Sequence, residues 1–71
     1  GPDMTTTIHL NGKPYECELD WWFDLGDICF QLIEARDEDG EKVDAETFEA
    51  LKDLSMTDKE VKRIRYEIGG G

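Results

Sequence analysis

The sequence around Asp24-Leu25-Gly26-Asp27 is its own mirror image in hydropathy. If these four largely polar residues close a loop, Phe23 meets Ile28, Trp21 meets Phe30 and Leu19 meets Leu32. All six are apolar. On the Tyr15–Phe23 side they alternate with Glu16, Glu18 and Asp20, the period of a strand with one buried face. A one-residue slip would set Phe30 against Asp20 and Leu32 against Glu18, because a slip turns every side chain to the other face. The pattern therefore predicts two antiparallel strands, Tyr15–Phe23 and Ile28–Arg36, in a single register.

A second hairpin precedes this one. Thr5-Thr6-Thr7-Ile8-His9-Leu10 is β-branched and alternating. Asn11-Gly12 follows, and both residues tolerate the positive φ of a type I′ turn. A two-residue loop there pairs Leu10 with Lys13, Ile8 with Tyr15 and Thr6 with Cys17. Pro14 then falls at the start of the second strand, where a missing amide does least harm. Both hairpins select the same face of the middle strand, and that agreement makes a three-stranded meander the expected sheet. In this register Cys17 lies opposite Glu34 and Cys29 opposite Trp22. The two thiols are thus expected on opposite faces, out of reach of a disulfide.

Helical signals follow the acidic turn Asp37-Glu38-Asp39-Gly40. Glu41-Lys42-Val43 is long enough for a short fourth strand. Asp44 is placed to cap a helix in which Phe48, Leu51 and Leu54 share a face. After Ser55-Met56-Thr57, the run Thr57-Asp58-Lys59-Glu60 has the form of a capping box, with Met56 and Val61 as a hydrophobic staple. A second helix then carries Val61, Ile64 and Ile68 on one stripe; the rival reading is a closing strand over 61–68. The expected fold is α+β: a three-stranded antiparallel meander packed on one or two C-terminal helices. Gly1-Pro2-Asp3 reads as the remnant of a cleaved tag, residues 4–68 as one small domain, and 69–71 as a flexible glycine tail.

Charge narrows the function classes. The formal net charge is −10, and residues 16–54 hold fourteen acids against three bases. Such a body is repelled by nucleic acid and by anionic membranes and attracted to basic surfaces. The sequence contains no long apolar run or export signal, so a cytoplasmic protein with free thiols is expected. An EF-hand placed with Gly40 at its sixth position would have Ala35 at its first, where a ligand is needed. His9 is the single histidine and Ser55 the single serine, on different elements, so a catalytic triad is not expected. No cofactor, metal or catalytic residue is assigned. Lys59, Lys62, Arg63 and Arg65 make the second helix basic, but Asp58, Glu60 and Glu67 are interleaved, so it is expected to pair internally or with the acidic body of a second copy.

The remaining feature is the outward face of the sheet. Two helices cover one face of a three-stranded sheet and leave the other open. On that face the register places Glu16, Glu18, Asp20 and Trp22, with Cys29 and Ile33 across from them. A tryptophan beside apolar neighbours, rimmed by charge, has the composition of a binding anchor. Alternate strand residues stand ~6.8 Å apart, close to the phosphate spacing of a nucleic-acid strand, so the carboxylate row can imitate a duplex backbone.

Two stretches, Ile8-His9-Leu10-Asn11-Gly12-Lys13-Pro14-Tyr15-Glu16-Cys17-Glu18 and Asp37-Glu38-Asp39-Gly40-Glu41-Lys42-Val43-Asp44, resemble a pattern in small acidic bacteriophage and prophage proteins. These open with a strand, an NGK turn and an acidic strand, and continue through a DEDG-type turn into short helices. The resemblance implies a phage-encoded accessory protein acting inside a bacterial host. Its implied targets are nucleases, CRISPR complexes, restriction enzymes and RNA polymerase; it carries over no site residues. The expectation is a non-enzymatic inhibitor that binds a host protein with a basic surface and makes no direct contact with nucleic acid or membrane. The alternative is a homodimeric assembly component of a phage replication or recombination complex.

Overall fold

The computed structural model describes residues 2–70; Gly1 of the expected remnant and Gly71 of the expected tail lie outside the described residues. Strands β1 (Asp3–Leu10), β2 (Lys13–Asp24) and β3 (Asp27–Arg36) form one antiparallel sheet in the order β1-β2-β3, followed by helices α1 (Ala45–Ser55) and α2 (Asp58–Gly69). The expected α+β meander with two C-terminal helices is the observed fold. No helix among the described residues is long and apolar enough to cross a membrane.

Both hairpins adopt the register their residues dictate. Leu10 pairs with Lys13, Ile8 with Tyr15 and Thr6 with Cys17. Phe23 pairs with Ile28, Trp21 with Phe30 and Leu19 with Leu32. The helices cover the face that carries Ile8, Cys17, Leu19 and Leu32, and these close a core with Ala35, Leu51 and Ile64. Burying such side chains contributes about 1.5–3 kcal/mol each.

Four local expectations are corrected. First, the loop after β2 is two residues long, Leu25-Gly26, because Asp24 and Asp27 still pair. Both loop residues have positive φ, 51° and 83°, as in a type I′ turn. Second, a β-bulge lies opposite Glu18/Leu19, so Cys17 faces Ala35 and not Glu34, and Glu18 faces Glu34 and not Ile33. An unbroken ladder would have driven the Glu34 carboxylate into the core, which costs several kcal/mol. The spare residue changes the parity of β3, so Ala35 is buried and Glu34 turns outward. Third, the expected fourth strand is a single bridge, Arg36 to Lys42. Fourth, Thr57 makes no side-chain cap to α2: its hydroxyl donates to the Leu54 carbonyl at 2.8 Å, and Glu60 is engaged by Arg63.

The α1 cap forms as expected, with the Thr47 amide donating to Asp44 Oδ1 at 2.8 Å. That bond holds the Asp44 carboxyl below its usual pKa. Residues 61–68 are helical. Ile64 is buried on their stripe while Tyr66, which a closing strand would have turned inward beside it, is 69% exposed. Asp3, read as part of a tag remnant, begins β1 opposite Asp20, and the Pro2 carbonyl accepts from the Trp21 amide at 3.1 Å. Gly69 is the last residue of α2 and not part of a tail, and the Gly70 amide caps the helix on the Tyr66 carbonyl.

The basic side chains of α2 reach both edges of the sheet. Arg63 donates to the Thr7 carbonyl on β1 at 3.1 Å and to Thr6 Oγ1 at 2.9 Å, and is clamped between Glu60 and Glu67. These bonds lower the Glu60 pKa and raise that of Arg63. Arg65 donates to the Ile28 carbonyl on β3 at 2.8 Å. The internal pairing expected of this helix is thus a pair of edge contacts, a common way to keep a sheet from adding strands.

Candidate functional site

The uncovered face of the sheet is built in rungs. Cross-strand pairing sets Asp3, Asp20 and Gln31 in one row, Thr5, Glu18 and Glu34 in the next, and Thr7, Glu16 and Arg36 in the third. Trp22 and Cys29 form a further rung at the end where β1 has already finished. Of the residues assigned to a contact site from sequence, Glu16, Glu18, Asp20, Trp22 and Cys29 share this face. Trp22 is 38% exposed.

Ile33 stands apart from these paired rungs, because the bulge leaves it without a partner on β2. As the spare residue near the bulge it is 44% exposed and lines a groove of about 520 Å³ with Ala35, Val43 and Phe48, between β3 and α1.

The electrostatics of the face are uneven. Like charges directly across a sheet are destabilising, and Asp3 opposes Asp20 as Glu18 opposes Glu34. Glu18 shows the consequence: Asp3, by hydrogen bond and by charge, pushes its pKa above the usual carboxylate value. Glu34 is driven the other way, chiefly by Lys42 and then by Arg36, whose nitrogens approach it at 3.3 Å and 3.2 Å. The carboxylates are thus crowded on the β1–β2 side of the face and neutralised on the β3 side, where Lys42 and Arg36 hold Glu34.

Sequence reasoning missed the arm beyond this face. β1 pairs no further than Asp20, with one added bond from Pro2 to Trp21, so the rungs from Trp22–Cys29 outward are a two-stranded ribbon. Phe23 was expected in the core. It is on the helix-facing side but 68% exposed, and its ring meets Trp21 edge-on at 5.6 Å and 81°. Leu25 at the tip is 97% exposed. The signal available in the sequence was the length of the second hairpin relative to the first.

Other candidate chemistry is absorbed by structure. Asp37 Oδ1 accepts from the Asp39 and Glu41 amides, holding its own turn. Ser55 is buried and donates to the Lys52 carbonyl at 2.7 Å. His9 is exposed on β1, opposite Pro14. Cys17 is buried, which raises its pKa from the usual 9.0 to about 11. No group of three or more His, Cys, Asp or Glu that could hold a metal ion occurs among the described residues.

No family model, curated protein or solved structure matches the chain.

Proposed function

We propose that this chain is a non-enzymatic protein-binding module of phage type that occupies the basic, nucleic-acid-binding surface of a bacterial host protein. One observation carries the reading. Both helices lie on one side of the sheet, and the side left open combines Trp22 with the crowded carboxylates of Asp3, Asp20 and Glu18. A cationic groove relieves the repulsion among those acids, so their charge favours association and speeds encounter. Trp22 supplies the apolar contact that a row of acids lacks. Mimicry of a duplex is partial, because Lys42 and Arg36 neutralise Glu34 on the β3 side of the face.

The test is displacement of a labelled DNA duplex from four purified bacterial assemblies: RNA polymerase, a restriction enzyme, a CRISPR surveillance complex and a DNA-repair nuclease. The expected result is release from at least one, weakening about tenfold as salt rises from 50 to 200 mM. Both Glu18→Lys and Trp22→Ala reduce it. Release from none of the four refutes the reading. So does a tight homodimer by light scattering that dissociates in Trp22→Ala, which would favour the assembly role.

A further inference from the structure

The tip of the second hairpin combines two unfavourable features that the monomer does nothing to offset. Leu25 is 97% exposed, and its backbone has φ +51°, in the left-handed region that bulky side chains avoid. Asparagine suits that position, as Asn11 shows in the first hairpin at φ 53°. Leucine adds no contact to the core, because the tip stands beyond the last rung of β1. Phe23 and Trp22 present further apolar surface just behind it, one on each face of the ribbon. A strained, exposed leucine at the end of an apolar arm is a candidate contact residue.

The charges around the arm select the occupant. Asp20, Asp24 and Asp27 flank it, and residues 20–31 contain no lysine or arginine. Those acids oppose a second copy of the same arm and an anionic membrane alike. They match an apolar pocket with a basic rim. We propose that the Trp22–Cys29 arm grips the partner protein by placing Leu25 in such a pocket, its rim lined by lysine and arginine that face Asp24 and Asp27. This rests on the reading that the chain binds a basic protein, but assigns the grip to the tip of the hairpin and not to the open face.

Two modified chains test it on the same four assemblies. Leu25→Asn is expected to raise the melting temperature by about 4 °C, because it relieves the turn. It should weaken binding to the responding assembly by about tenfold or more. The full chain with p-benzoylphenylalanine in place of Leu25 should crosslink on irradiation to an apolar pocket flanked by lysine or arginine, as mapped by mass spectrometry. Four results overturn the inference: a lower melting temperature for Leu25→Asn, unchanged affinity, crosslinking to a second copy or to phosphatidylglycerol vesicles, or no crosslink to any of the four. The two readings fail separately. Duplex release that survives Leu25→Asn but not Glu18→Lys removes the tip and keeps the open face. A pocket crosslink with the duplex still bound keeps the tip and removes the blocking role.

Discussion

The two hairpins of this protein have the same turn and different residues in it. Asn11-Gly12 and Leu25-Gly26 take nearly the same positive φ values, 53° and 78° against 51° and 83°. In the first, asparagine suits the backbone, and the flanking Leu10 and Tyr15 pack against the core. In the second, leucine opposes the backbone and is bare to solvent. One turn is thus explained by folding alone. The other has the shape that folding requires and a side chain that folding does not ask for.

The largest expected contrast runs along β2 itself. Leu19→Ala, at a fully buried side chain on the strand shared by both hairpins, should cost about 2–5 kcal/mol in urea unfolding, whereas Phe23→Ala, four residues on, should cost under about 1 kcal/mol. A large loss at Phe23 would mean that the arm belongs to the core, and the comparison would break. Next in size is Arg63→Met. It strips a partner from the buried Thr6 hydroxyl and from Glu60 and Glu67 at the β1 edge, a loss of about 1–3 kcal/mol by the same measurement.

The turns can be exchanged directly. Asn11→Leu should destabilise by about 1 kcal/mol. Combined with Leu25→Asn it should return close to the parent stability, since the two sites share no partners. Non-additivity would show that the hairpins are coupled.

The smallest effects are in pH. Glu34, Asp44 and Glu60 have lowered pKa values, so the stability they contribute is present above the usual carboxylate range and fades as pH falls through their folded values. Glu18, raised by Asp3, runs the opposite way, and protonating it relieves repulsion. Glu18→Gln should therefore steepen the acid loss of stability in a melting-temperature series. At the alkaline end the raised Cys17 thiol contributes stability that is complete below pH 9.0 and lost as pH rises through about 11. Cys17→Ala should flatten that limb.

The register up to the bulge, the first turn and the α1 cap could be read from the chain because each rests on neighbours in sequence or on period-two alternation; the second turn is two residues tighter than its polar residues suggest, because Asp24 and Asp27 still pair. The bulge could not be read from alternation alone. Its trace is the order Ile33-Glu34-Ala35, which puts a glutamate inward if the ladder is unbroken and an alanine inward if it slips by one. The capping box failed for a tertiary reason: Glu60 is taken by Arg63, which is itself held by the β1 edge. Of the candidate site, the residues sharing the open face followed from parity, as far as Cys29. The exposure of Phe23 did not, because parity gives the side of the sheet and not where the helices stop covering it.

The guanidinium groups that α2 extends to Thr7 and Ile28 have a consequence for the molecule in a crowded cell. A neighbouring chain seeking to lengthen the sheet meets a bound cation on either flank and must displace it before its own amides can pair. Sheet extension is hindered at both margins by one helix, so the exposed apolar arm is carried by a sheet whose own edges are guarded.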